Sequence, residues 1–172
     1  MTPPQGFTSI RLVSATREQA LIEFALIVPV LFVLLVNAVN FGGFLFAWIT
    51  VANAARTGVQ YFVAQGASAG APAAPTNAQI NALVTNDISS LLNRSSLIVR
   101  ICTAKNTVVT CSGSGSSVPP ADPEPLTYLL ATVDVSYTYQ PLIAAFDFTS
   151  MGVHAALPGA MIHRRAIMRV AQ

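Results

Sequence analysis

Charge is scarce in this chain. Of its 172 residues, nine are Lys or Arg and seven are Asp or Glu, together 9%, against roughly 25% in an average soluble domain. Lys105 is the sole lysine and the formal net charge is +2. No basic stripe exists to neutralise a row of phosphates, which argues against nucleic acid as a partner. Chemistry-bearing motifs are missing too. There is no phosphate-binding loop, dinucleotide fingerprint, nucleophile elbow or metalloprotease helix. The sequence therefore assigns no catalytic residue and no cofactor, and a membrane enzyme ranks last among its readings. Cysteine and histidine occur twice each. Cys102, Cys111, His154 and His163 lack the close pair spacing usual for zinc, so no metal ligand is assigned.

Apolar residues are abundant. They make up 53% of the chain, and mean hydropathy is +0.58. From Phe24 to Ile49 no residue is charged. As a helix that run measures about 39 Å at roughly 1.5 Å per residue, more than a hydrocarbon core of roughly 30 Å. A bilayer-spanning helix is expected, tilted or emerging as a stalk. Thr16 and Gln19 fit a capping box, so the helix is expected to start near Arg17. Pro29 lies inside and should kink it, since it lacks an N–H and clashes with the preceding turn. Asn37, Asn40 and Gly43 form a polar, small-residue stripe suited to helix–helix contact. Arg11 and Arg17 before the span, against Arg56 after it, favour a cytoplasmic N-terminus. "VANAAR" offers Ala52 and Ala54 to a signal peptidase, but the apolar run far exceeds the roughly 7–15 residues of a secretory core.

One carboxylate, Glu23, sits at the lip of this run. Either it answers the partial positive charge of a helix N-terminus, worth about 0.3–1 kcal/mol, or it is placed to meet a positive group when helices pack side by side. An unpaired carboxylate in apolar surroundings is costly, so a partner would turn that cost into a register signal.

Beyond Arg56 the helix can continue as a stalk, with Val59, Phe62 and Val63 on one face. Residues 66–76 read as a Gly/Ala/Pro linker. A second helix, capped by Asn77, is expected through Leu92, its apolar positions Ile80, Leu83, Val84, Ile88, Leu91 and Leu92 recurring at helical spacing. The remainder reads as antiparallel strands. "SLIVRICTA" and "TVVTCS" flank a turn near Asn106, which sets Cys102 opposite Cys111 within disulfide reach. A disulfide there needs an oxidising compartment, in agreement with export. "SGSGSSVPPADPEP" is a flexible loop. "LTYLLATVDVSYTY" alternates, with Leu129, Ala131, Val133, Val135, Tyr137 and Tyr139 on one face and Thr132, Asp134, Ser136 and Thr138 on a solvated one. Arg164, Arg165 and Arg169 give the last strand a basic, solvated edge. The expected fold is α+β: a long N-terminal transmembrane helix, a second helix and a small antiparallel sheet covered by the helices on one face. The expected organisation is an arm or leader at 1–18, membrane helix and stalk at 19–65, linker at 66–76 and exported domain at 77–172.

Residues 17–62, "REQALIEFALIVPVLFVLLVNAVNFGGFLFAWITVANAARTGVQYF", resemble the TadE-like family of tight-adherence (Flp) pilus assembly proteins. Ile22-Glu23-Phe24-Ala25, the early Pro29 and the exit Ala54-Ala55-Arg56-Thr57-Gly58 carry the likeness. Tyr139-Gln140-Pro141-Leu142 and the Arg-rich strand from Arg164 to Arg169 support it. The resemblance implies a pilin-like fold and a minor pilin or pseudopilin in the bacterial inner membrane. It implies other pilin subunits and the assembly machinery as partners, and a prepilin peptidase cutting between Glu18 and Gln19. Glu23 would then be the fifth mature residue, near a new amine. Glu18 stands where many relatives carry Gly, and Asn40 and Gly43 where they often carry an acid and an arginine. The competing reading is a membrane-tethered extracytoplasmic binding module, needing neither a partner helix nor Glu23.

Overall fold

A computed structural model of the chain describes residues 8–66, 75–105, 108–116, 118, 128–143, 147–148, 153–154 and 159–171. Helix α1 runs from Thr8 to Gly66 and contains Pro29. Thr16 is thus an interior residue of the helix rather than its cap, and the expected start near Arg17 is corrected. No Gly or Pro between Thr8 and Arg17 obliges the helix to stop there. Helix α2 spans Asn77–Asp87, and a 3-10 turn spans Arg94–Ser96. The strands are β1 (Ile98–Lys105), β2 (Val108–Gly113), β3 (Tyr128–Tyr139), β4 (Asp147–Phe148), β5 (Val153–His154) and β6 (Ala160–Ala171). The fold is α+β, with a long apolar N-terminal helix, a second helix and a four-stranded antiparallel sheet.

Two compact units divide the chain, Met1–Phe41 with Ile143–Leu157, and Gly42–Leu142 with Pro158–Gln172. In the first, β4 pairs antiparallel with β5. Val36 and Asn40 are its buried helix residues, one turn apart on the same face.

The second unit holds the sheet, in the order β2-β1-β3-β6. Strands β3 and β6 pair over their whole length, from Tyr128 opposite Ala171 to Tyr139 opposite Ala160. One face is covered by helices. Ala47, Val51, Ala54, Ala55, Val59 and Phe62 of α1 pack with Ile80, Val84 and Ile88 of α2 over Val99, Ile101, Val133, Val135 and Ile162. Full burial of each such Val or Ile stabilises by about 1.5–3 kcal/mol. The later half of α1 is therefore a core element and not the free stalk its composition suggests. Its small residues let it lie close: a Cβ on Gly58 would stand 3.0 Å from Val84 Cγ2 and 3.2 Å from Val133 Cγ1.

Helix α2 is capped by Thr76, not Asn77. Thr76 Oγ1 accepts from the Gln79 N–H at 3.4 Å, and Gln79 Oε1 accepts from the Thr76 N–H at 2.9 Å, the reciprocal bonds of a capping box. The helix ends at Asp87, short of the expected Leu92. Asn93 draws the chain away: its N–H donates to Tyr137 Oη at 3.3 Å, and its Nδ2 to the Thr138 carbonyl at 3.1 Å. The β1–β2 register sets Cys102 opposite Cys111, and the two are joined as a disulfide with Cα atoms 4.1 Å apart. The turn at Asn106, residues 67–74 of the expected linker, Ser117 with 119–125 of the expected loop, and Leu126 and Thr127 at the head of the expected strand lie outside the described residues.

Candidate functional site

The most unusual surface is α1 before the folded unit. Leu21, Phe24, Leu26, Leu31, Leu34 and Leu35 are each more than half exposed. Leu26, Ile27 and Val28 are consecutive and all exposed, so the bare surface wraps the helix and is no single stripe. Water is a poor environment for so much apolar area. By length and composition Glu18–Ala64 can cross a membrane, its most apolar window averaging 2.5 in hydropathy. The packing of Ala47 into the core shortens the expected bare span of Phe24–Ile49 at its far end. The 24 residues from Glu18 to Phe41 still measure about 36 Å.

Polar side chains along α1 are turned back on the chain. Glu23 is exposed, and its Oε1 accepts from Gln19 Nε2, one turn earlier, at 3.1 Å. Glu18 and Gln19 are likewise exposed. Asn37 Nδ2 donates to the Val33 carbonyl at 2.9 Å. Asn40 is fully buried and engages Ile143 twice: its Nδ2 donates to the Ile143 carbonyl at 3.1 Å, and its Oδ1 accepts from the Ile143 N–H at 3.0 Å. A primary amide presents a donor and an acceptor side by side, so it pairs with a main chain as a strand would. Gly43 faces its own chain as well. A Cβ there would lie 2.8 Å from Leu142 Cδ1 and 2.9 Å from Tyr139 Oη. Of the sequence's polar stripe, Asn40 and Gly43 thus serve contacts within the chain.

The sheet face away from the helices is where the sequence reading needs most correction. Asp134, expected to be solvated, is 4% exposed, and Thr132 is 1% exposed. Both lie on β3, a central strand, where side chains from β1 and β6 close over them. Register places Arg100, Asp134 and Arg165 in one row across three strands. Arg165 donates to Asp134 Oδ2 from Nε at 3.2 Å and Nη2 at 3.0 Å, and His163 Nε2 contacts Oδ1. The Arg100 Nε is buried without a hydrogen-bond partner among the described residues. Ser114, Ser116, Ser136 and Met161 complete an open cleft of about 290 Å³ beside this row. Cys102 and Cys111 lie on the same face. Among the described residues, no group of three His, Cys, Asp or Glu is arranged to hold a metal ion.

The basic end of β6 is also divided. Arg165 turns to Asp134, while Arg164 points to the helix face and lies over the Trp48 ring, 3.5 Å from its centroid. No periodicity argument finds these pairings, because each needs the β3–β6 register. Tyr139 packs edge-on against Phe44, ring centroids 5.6 Å apart. Burial pushes its phenol above the ordinary tyrosine value, and a hydrogen bond with the Leu142 main chain opposes the shift.

Compared with known proteins, residues 19–60 match the family model described as TadE-like protein, the family the sequence resembles. The match covers 42 of the 172 residues. No curated protein and no solved structure matches the chain. The matched segment joins the bare apolar helix to the stretch that packs in the core. Its Ala54-Ala55-Arg56-Thr57-Gly58 exit has a packing explanation: Ala54, Ala55 and Gly58 are buried while Arg56 is exposed.

Proposed function

We propose that the chain is a structural component of a tight-adherence pilus system, a minor pilin or pseudopilin that works by lateral helix packing in the bacterial inner membrane. The observation that carries this reading is the bare apolar stretch of α1, headed by the exposed Glu23, inside the TadE-like match. Such a surface needs lipid, other helices or both. In the membrane it would pack against pilin or pseudopilin helices, with Glu23 setting register, Pro29 bending the helix and Asn37 on the contact face. The N-terminus is cytoplasmic and the folded unit extracytoplasmic in this reading, where the disulfide would persist. The role is structural rather than catalytic.

Two measurements test it. Glu23→Ala should abolish or cripple pilus assembly, with Glu23→Gln retaining part of it if a hydrogen bond suffices. If both variants assemble normally, Glu23 sets no register. The intact mass of protein from native membranes then decides processing. A chain beginning at Gln19 means the prepilin peptidase accepts Glu18 and supplies an amine for Glu23. A chain retaining its leader means an unprocessed, membrane-resident assembly factor.

The cleft beside Arg100 favours a second reading, a membrane-tethered extracytoplasmic binding module. Exchange of the bare segment of α1 for an unrelated membrane anchor separates the two. Function retained after exchange favours the module, and function lost favours helix packing.

A further inference from the structure

We propose that an apolar rim on the second unit, formed by Phe46, Leu92 and Leu142, rests in the lipid interface of the membrane that α1 crosses. The inference depends on α1 being a membrane span, and goes beyond it by giving the folded unit its own lipid contact.

Phe46, Leu92 and Leu142 are 55%, 73% and 51% exposed. They border one cleft of about 220 Å³ whose lining, among the described residues, contains no charged side chain. Their exposure is built into the local structure. Leu92 stands between Leu91, which is buried, and Asn93, which is tied twice to β3. The chain on both sides is fixed, so Leu92 is held outward. Leu142 lies against Gly43, where only a missing side chain permits the approach. These are large apolar groups presented by a rigid frame.

Chain connectivity supplies the occupant. Glu23 and Gly43 are 20 residues apart, about 30 Å of helix, the thickness of a hydrocarbon core. With Glu23 at one boundary, Gly43 reaches the other, and Phe46 lies less than one turn further. Gly43 lines the same cleft as the three rim residues. Trp48, 38% exposed, lies at the same end of the second unit through Phe44 and Tyr139, and tryptophan is a residue type favoured at a membrane interface. Insertion of apolar side chains to a depth of about 5–10 Å is the usual mode of interfacial binding. A rim of this kind would favour the membrane-resident state over extraction into a fibre.

The test uses full-length, oxidised protein reconstituted in phosphatidylcholine vesicles. With Cys102 and Cys111 joined, a cysteine introduced singly at Leu92, Val108 or Leu31 can carry an environment-sensitive dye. Val108 is exposed at the opposite end of the sheet, and Leu31 is in the bare helix. Lipids with a quencher high on the acyl chain should quench the Leu92→Cys label several-fold more than the Val108→Cys label, with blue-shifted emission. If Leu92→Cys behaves as Val108→Cys while Leu31→Cys is quenched by deep quenchers, the span stands and the rim proposal is overturned. A blue-shifted but unquenched Leu92→Cys label also overturns it, because protein then covers the rim. An unquenched Leu31→Cys label removes the span and the rim with it.

Discussion

The Arg164 guanidinium lies 3.5 Å above the ring of Trp48, bridging the edge strand β6 to α1. A cation over an indole face contributes about 0.5–2 kcal/mol, the higher figure when water is excluded. Trp48 is the only tryptophan, so the contact has its own optical reporter. Arg164→Ala should lower the melting temperature in detergent and shift Trp48 emission. Arg164→Lys should restore part of both, since lysine keeps the charge but not the planar stack. A double-mutant cycle with Trp48→Leu should give a coupling energy in the stated range. A coupling near zero would make the stack incidental.

On the opposite face, Asp134 and Arg165 are unequally buried, their side chains 5% and 27% exposed. Loss of one partner leaves the other to find water, and the deeper group fares worse. Arg165→Ala should therefore destabilise more than Asp134→Ala, by about 2–3 against about 1–2 kcal/mol. Asp134→Asn should fall below both, as its amide oxygen still accepts from Arg165. Denaturant midpoints for the three variants check the order. The reverse order would mean that water reaches Asp134 despite its burial.

These two pairings show where sequence reading stopped. Periodicity exposed the long apolar helix, because no charge interrupts it, and the alternation of β3, because Val133 and Val135 repeat every second residue. The disulfide followed from a two-residue turn setting Cys102 against Cys111. What remained hidden depends on long-range register. Asp134 reads as solvated until β6 brings Arg165 and His163 beside it. Asn40 reads as a helix-packing residue until Ile143, more than a hundred positions later, takes both ends of its amide. Ala47 reads as membrane because lipid and a protein core select the same side chains.

The Cys102–Cys111 disulfide closes a short loop, with a sequence separation of nine. Chain-entropy reasoning gives on the order of 2–3 kcal/mol at best for such a loop. Cys102→Ser with Cys111→Ser should lower stability by no more than this and leave β1–β2 pairing intact, since the hairpin hydrogen bonds do not depend on sulfur. Matched unfolding curves with and without reductant provide the check. Complete loss of folding in the double variant would assign the bond a larger role than its loop length supports.

Burial raises the Tyr139 phenol above its ordinary value of 10.0, which fixes the sign of a pH effect. Above pH 10 the unfolded chain releases this proton while the folded chain retains it. Stability conferred below that point is then lost as pH rises. Wild-type protein should become progressively less stable above pH 10, and Tyr139→Phe should remove that part of the slope. The variant also loses the bond to the Leu142 main chain, so its stability at neutral pH should be lower or unchanged. Parallel slopes for the two proteins would show that Tyr139 ionises freely in the fold.

Gly58 offers the sharpest test of α1 as a core element. It lies where α1, α2 and β3 converge, and an added Cβ would meet Val84 and Val133 at 3.0 and 3.2 Å. Those neighbours are fully buried, so neither has space to retreat. Alanine is the better helix former by roughly 1 kcal/mol, and on an exposed helix Gly58→Ala would stabilise. At a three-way junction the steric term should win, since overpacking a dense core costs about 1–3 kcal/mol. Gly58→Ala should be near neutral to destabilising, and Gly58→Val clearly destabilising. Val84→Ala should relieve part of the Gly58→Ala cost by opening space beside it, a non-additivity that only direct contact produces. If Gly58→Ala instead raises the melting temperature, the later half of α1 stands away from the sheet and is the stalk its composition suggests.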